Sequence, residues 1–196
     1  MIKRFAAAFL VFASLVAPAH AWEPKERVEA YAIAGTTPRA LYRSIGERGP
    51  KTSVGNRAIA VTEWKLLWRR DYQKRGDGCE LASALPFLTI TYKLPRPAEK
   101  LSGQTARRWK TFANGIRVHE EGHGVLLQAM TDTIIRETVG LKTLVDDGNC
   151  NALRAQVLDR VKVAFDDYRR NSADFDRIEM APGGNVHKLV LGLLNG

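Results

Sequence analysis

The sequence contains the pattern His-Glu-x-x-His, formed by His119, Glu120 and His123, inside a segment with helical periodicity. Residues four apart on an α-helix share one face, so His119 and His123 can present imidazole nitrogens to one Zn²⁺ ion. Glu120 leaves the helix to the side of that pair, where its carboxylate can take a proton from an attacking water molecule as general base. The pattern therefore predicts a zinc site used for hydrolysis.

The surrounding residues test whether the two histidines are incidental members of an amphipathic helix. Apolar side chains recur at spacings of three and four at Trp109, Phe112, Ile116, Leu126, Met130 and Ile134. His119 and His123 fall on the same stripe, where only hydrophobic residues are expected. Two buried imidazoles one turn apart need partners, and a metal ion provides them. We predict one long helix that begins after Ser102 and ends near Val139, with Gly140 as its cap.

The other segments predict an α+β fold in a single domain. The expected elements are a strand at 27–34, a helix at 38–47 capped by Thr37, strands at 57–72 and 79–94, and a second long helix at 150–170. The two longer strands should form a hairpin, with a break or bulge near Pro86. On the first of them, alternate residues should share the inward face, namely Thr62, Trp64, Leu66, Trp68, Arg70 and Tyr72. After a loop at 182–184, residues 189–193 should dock as a last short element. We expect a small antiparallel sheet packed on two long antiparallel helices, a zincin-like arrangement.

The first residues have the features of a cleaved signal peptide. Lys3 and Arg4 precede an apolar run at 5–18, and Ala19-His20-Ala21 is a small-x-small cleavage site. We expect cleavage after Ala21, which leaves residues 22–196 as the mature domain in the periplasm or outside the cell. The apolar run is shorter than the roughly 20 residues that span a bilayer, so no stable membrane insertion is expected after cleavage.

The net charge indicates which partners to expect, and the cysteine content indicates the state of the thiols. The net charge of +9 favours anionic surroundings such as envelope polymers or acidic lipid head groups. The basic residues are scattered and the chain is expected to be exported, so we expect no nucleic-acid partner. Cys79 and Cys150 are the two cysteines, and in an exported chain they should form one disulfide. Zinc ligation by cysteine is disfavoured because there is no Cys-x-x-Cys pair.

Further motifs extend well beyond the zinc pattern. They are Tyr31, Ile33, Gly35, Thr36, Thr37, Leu41, Ile45, Gly49, Pro50, Thr62, Trp64, Trp68, Tyr72, Cys79, Tyr92, Leu94, Pro95 and Trp109. Together with the His-Glu-x-x-His pattern they resemble the bacterial DUF922 family of predicted zinc-dependent proteases, over roughly residues 26–180. The resemblance implies that His119 and His123 ligate zinc and that Glu120 is the catalytic base. We expect the substrate to be a peptide or protein of the cell envelope.

The third metal ligand is left open. The family carries Tyr-Asp-x-x-Thr-x-His-Gly after the second helix, and Phe175-Asp176 match its start, but Glu179 and Ala181 occupy the expected Thr and His positions. His187 follows a few residues later and is our preferred ligand, because three nitrogen ligands plus water form a common catalytic zinc site. Asp176 and Glu179 are the carboxylate alternatives.

A second pair of carboxylates follows from helix length. A return helix that rises about 1.5 Å per residue comes level with the metal after some eighteen residues, near Asp166 and Asp167. These two residues are therefore further candidates for the third ligand.

The function predicted from these features is zinc-dependent peptide hydrolysis with Glu120 as general base. One alternative is a zincin-fold binding or scaffold protein that has lost activity, as the missing Thr-x-His segment suggests. Another is a zinc hydrolase that acts on a non-protein envelope amide, since a fold does not fix the substrate class.

Overall fold

The computed structural model describes residues 22–52, 55–145 and 148–195. In these ranges the elements are β1 Lys25–Ile33, α1 Pro38–Arg48, β2 Val61–Arg75, β3 Gly78–Pro97, α2 Gly103–Thr138, β4 Lys142–Thr143, α3 Asn151–Met180 and α4 Asn185–Asn195. The expected signal peptide at 1–21 lies outside the described residues. Among the helices that are described, none combines the length and the apolar character that a bilayer span requires.

The four described strands form one small open sheet, and the helices pack on it. Strand order is β1-β3-β2, and β4 pairs with the start of β3. Strands β2 and β3 form the expected hairpin, which turns at Gly76 and Asp77. Strand β1 runs parallel to β3, so the sheet is mixed and the expectation of a purely antiparallel sheet is wrong. The chain leaves β1 through α1 and β2 before it reaches β3, and this long connection permits a parallel pair.

The alternation read from the hairpin sequence is confirmed. On β2, Trp64, Leu66 and Trp68 are partly buried and pack with the central core, whereas Lys65 and Leu67 between them are exposed. On β3, the buried residues of the same core are Leu88, Ile90 and Tyr92. Period-two alternation therefore identifies the face that carries the helices.

Pro86 does not interrupt β3, which is continuous from Gly78 to Pro97. The irregularity in the hairpin lies instead between Asp71 and Tyr72, where the pairing register shifts. Pro86 is tolerated because β1 begins to pair with β3 only at Thr89. A residue without an N–H group fits a stretch of strand that lacks a neighbour on one side.

The first three helices begin where the sequence predicts, but α3 extends well beyond its predicted end. Thr37 caps α1, and its hydroxyl oxygen accepts a hydrogen bond from the Ala40 N–H at 3.3 Å. Helix α2 follows Ser102 as expected, and Gly140 lies just beyond its end with φ +85°. Helix α3, however, continues to Met180 instead of ending near residue 170. The added turns contain Asn, Ser and Asp, which have low helix propensity. The sequence therefore does not indicate that the helix continues past residue 170.

The predicted disulfide between Cys79 and Cys150 is present and links positions 71 residues apart. It joins the start of β3 to the residue before α3, inside a buried cluster that includes Leu81, Leu153 and Val157. The bond therefore fixes where α3 starts relative to the sheet.

We expect the double substitution Cys79→Ala and Cys150→Ala to lower the free energy of unfolding by about 4 kcal/mol, because the unfolded chain regains the entropy of a long open loop. Urea unfolding followed by circular dichroism measures the change. Wild-type protein kept in reductant serves as the control and should lose a similar amount. A loss below about 1 kcal/mol in both samples would contradict a stabilising role for the disulfide.

Candidate metal centre

Two antiparallel helices, α2 and α3, position the candidate site. His119 and His123 lie one turn apart on α2, and both are buried. The part of α3 beyond residue 170 runs past them in the opposite direction, so that Ser172 lies beside His123 and Asp176 lies beside both histidines. The unexpected length of α3 is therefore what completes the site.

One carboxylate oxygen contacts both imidazole rings. Asp176 Oδ1 lies 3.2 Å from His119 Nε2 and 3.0 Å from His123 Nε2. One ligand atom from each of the three residues falls within 4.8 Å of the other two, an arrangement that could hold a metal ion. Two imidazole nitrogens and a carboxylate oxygen form a donor set that suits zinc.

Neighbouring side chains on α3 orient both histidines. Ser172 Oγ lies 3.0 Å from His123 Nδ1, and this contact turns the ring so that Nε2 points toward Asp176. The Phe175 ring stacks on His119 with centroids 4.9 Å apart. His119 Nδ1 is buried without a hydrogen-bond partner among the described residues, and Glu179 Oε2 lies 3.8 Å from it.

Glu120 is buried beside the histidines and is held by the sheet. The Thr62 hydroxyl on β2 donates a hydrogen bond of 2.6 Å to Glu120 Oε2. Burial raises the pKa of Glu120, and the Thr62 hydrogen bond and the nearby imidazoles only partly oppose this effect. The carboxylate is thereby a stronger base than an exposed glutamate, as a general base requires.

Asp176 and His123 are perturbed in the directions expected of an ion pair. Burial alone would raise the pKa of Asp176, but hydrogen bonds from His119 and His123 outweigh it and hold the pKa well below its ordinary value. Burial alone would lower the pKa of His123, but the hydrogen bond and charge of Asp176 raise it overall. Asp176 is therefore an anion at neutral pH and is available as a ligand.

A cavity of about 470 Å³ opens onto these groups. Its lining includes Glu120 and Asp176 from the helices, the phenol of Tyr168, and the segment from Ala60 to Glu63 at the start of β2. Strand β2 is the outer strand of the described sheet, so one of its edges has no strand beside it there. A free strand edge thus borders the candidate site.

Our preferred third ligand, His187, is not in this group. It lies on α4, where its Nδ1 accepts a hydrogen bond from the Gly183 N–H at 3.1 Å, and it lines a neighbouring cavity of about 540 Å³ together with His119 and Asp176. The turn at 182–184 starts a new helix and separates His187 from the end of α3. Asp176, one of the alternatives, is the third member of the group.

The other carboxylate candidates also lie outside the group. Glu179 Oε1 accepts a hydrogen bond from the Asn185 side chain. Asp166 and Asp167 form ion pairs with Arg169 and Arg170. Counting residues along α3 from a symmetric loop points to Asp166 and Asp167, whereas the α3 side chains that lie beside the histidines are those of Ser172 and Asp176.

Sequence reasoning missed three contributors to the site, namely Thr62, Ser172 and Phe175. The alternation along β2 predicts that Thr62 faces inward, but nothing in the sequence indicates that this strand contacts Glu120. For Ser172 and Asp176 the available signal is their i, i+4 spacing, which becomes meaningful only if the helix continues past residue 170.

Comparison with known proteins gives one match. Residues 28–184 match a family described as bacterial protein of unknown function, DUF922. The matched range contains Thr62, the His-Glu-x-x-His pattern and Asp176, and it ends before His187. No curated protein and no solved structure matches the chain.

Replacing Thr62 by valine should raise the pKa of Glu120 further, because the lost hydrogen bond stabilises the charged carboxylate. The pKa is measured on chelator-treated protein by NMR titration of ¹³C-labelled glutamate, with the Glu120→Gln variant identifying the signal. Thr62→Ser keeps the hydroxyl and should restore a wild-type value. An unchanged or lower pKa in Thr62→Val would show that the contact does not support the base.

Proposed function

The chain belongs to the bacterial family DUF922, whose function is unknown, and from its own residues we propose that it is a zinc-dependent peptidase with a zincin-like fold. The observation that carries the proposal is the convergence of His119, His123 and Asp176 beside the buried carboxylate of Glu120. This combination provides both a ligand set and a base.

The two carboxylate–imidazole distances in the group are close to those between ligands of a zinc ion. Two ligands of a tetrahedral zinc ion, each about 2.0–2.1 Å from it, lie roughly 3.3 Å apart. The oxygen–nitrogen distances from Asp176 to His119 and His123 are 3.2 and 3.0 Å. The contact of Ser172 with His123 Nδ1 is the kind of outer interaction that holds a ligating imidazole in orientation. Asp176 is therefore our proposed third ligand.

Each residue then has a defined task in hydrolysis. Bound zinc supplies a Lewis acid that polarises the scissile carbonyl and lowers the pKa of water. Glu120 takes a proton from the attacking water and returns it to the leaving amine, so that one peptide bond and one water molecule give an acid and an amine. Thr62 holds one oxygen of the Glu120 carboxylate while the proton moves.

The free edge of β2 favours a polypeptide substrate. The segment from Ala60 to Glu63 lines the same cavity as Glu120, so an extended chain that pairs with this edge would lie across the site. Main-chain hydrogen bonds of this kind bind peptides with little regard to sequence. A non-protein amide has no strand to pair, and it remains the alternative substrate class.

The disulfide bears on where the enzyme acts. Disulfides persist in oxidising compartments, so the Cys79–Cys150 bond supports a location in the periplasm or outside the cell. The signal peptide expected at 1–21 is consistent with that location.

Purified protein should contain about one zinc ion per chain, as a single site requires. His119→Ala, His123→Ala and Asp176→Ala should each reduce zinc content to near zero, whereas His187→Ala should keep it. Elemental analysis after dialysis against a weak chelator measures the content. Zinc lost in His187→Ala but kept in Asp176→Ala would overturn our assignment of the third ligand.

Glu120→Gln should lower peptide hydrolysis by roughly two to four orders of magnitude at near-normal zinc content, because glutamine cannot accept the proton. The assay is cleavage of casein or a quenched peptide library, with and without chelator. Glu121→Gln is the matched control, since Glu121 is partly exposed and pairs with Arg117. Wild-type turnover in Glu120→Gln would falsify the general-base role. Zinc-loaded wild-type protein that cleaves no peptide would favour the scaffold or the non-protein amide alternative.

A further inference from the structure

A third cavity, of about 710 Å³, lies between α2, the end of α3 and α4. Its volume is in the range of small-molecule sites, roughly 300–1,000 Å³. His119 contributes to its wall, but Glu120 and Asp176 do not line it. This cavity is therefore a different space from the one that opens onto the candidate metal centre.

The walls of this cavity are mainly apolar. Val118, Phe175 and Leu189 contribute hydrophobic surface, and the Val118 side chain is more than half exposed. Gly192 also lines the cavity, and a Cβ placed there would meet no atom within 4 Å in the described structure. Glycine destabilises a helix interior relative to alanine, and no packing contact in the described part of α4 requires it. Its missing side chain leaves space that belongs to the cavity.

Two cations lie at this apolar cavity without an acidic partner. Arg108 on α2 and Lys188 on α4 both line it, and neither forms an ion pair within the described ranges. Arg108 Nε is buried and has no hydrogen-bond partner there. The acid in the lining, Glu179, accepts a hydrogen bond from Asn185. The charges of Arg108 and Lys188 have no acidic partner in the described structure, and an anionic group in the cavity would pair with them.

We propose that this cavity binds an apolar chain that ends in a single anionic group, as in a fatty acid. The chain occupies the space along Val118, Phe175 and Leu189, and the anionic group pairs with Arg108 and Lys188. A neutral chain of the same length lacks the second interaction and binds more weakly. The proposal concerns a binding site and does not depend on peptidase activity.

Titration calorimetry of the purified protein with laurate, below its micelle concentration, tests the charge requirement. We expect one laurate per chain, with dodecanol binding about a hundredfold more weakly, because it lacks two charge pairs that each contribute about tenfold. Arg108→Gln and Lys188→Gln should each weaken laurate binding about tenfold and leave dodecanol unchanged. Lys110→Gln is the matched control, since Lys110 is exposed on the same helix and does not line the cavity.

A second variant tests the location. Gly192→Leu should fold normally, because leucine favours a helix and a Cβ at this position meets no neighbour. It should abolish binding of both laurate and dodecanol by filling the cavity, while thermal unfolding stays cooperative. Laurate binding that survives both Gly192→Leu and the double change Arg108→Gln with Lys188→Gln would overturn the proposal, as would the absence of any laurate binding to the wild type.

Discussion

The contact between Asp176 and the two imidazoles of α2 is the interaction on which the rest of the site depends. His119 and His123 lie on a helix face that is otherwise apolar, where unpaired ring nitrogens would lose their hydrogen bonds to water. A single carboxylate oxygen within 3.2 Å of both Nε2 atoms compensates for this loss. The same contact brings one oxygen and two nitrogen atoms close together. The carboxylate that compensates for the burial of the two histidines therefore also gives the group the donor atoms that could hold a metal ion.

That contact is maintained by constraints far from it. The Cys79–Cys150 bond and the buried side chains of Leu153 and Val157 fix the start of α3 against the sheet. Asp176 lies about 39 Å from Cys150 along α3, at a rise of 1.5 Å per residue. A slip of one residue in α3 would turn its side chains by about 100° and take Asp176 away from the histidines. The alignment of two long helices, more than any local motif, therefore determines which carboxylate lies beside the two histidines.

This dependence explains which parts of the structure the sequence could predict. The shared helix face of His119 and His123, the limits of α2 and the inward face of β2 follow from spacings within one element, and the structure agrees with all three. The end of α3, the parallel pairing of β1 and the position of Asp176 beside both histidines depend on how separate elements align. No periodic pattern in the sequence indicates how one element aligns with another. The turns after residue 170 also carry polar residues because they face the site, and this removes the apolar stripe by which a helix is recognised.

Strand β2 links the proposed base to the proposed substrate position. The pleat directs the Thr62 side chain toward α2, where its hydroxyl holds the Glu120 carboxylate. The main chain on either side of Thr62 belongs to the strand edge that borders the cavity. A peptide paired with that edge would be positioned by the same strand that positions the base. In the proposed peptidase, the distance from Glu120 to the scissile bond would then be set by the contact between α2 and β2, independently of the loops around it. Such positioning by a strand is more accurate than positioning by separate loops, and the geometry of general-base catalysis requires that accuracy.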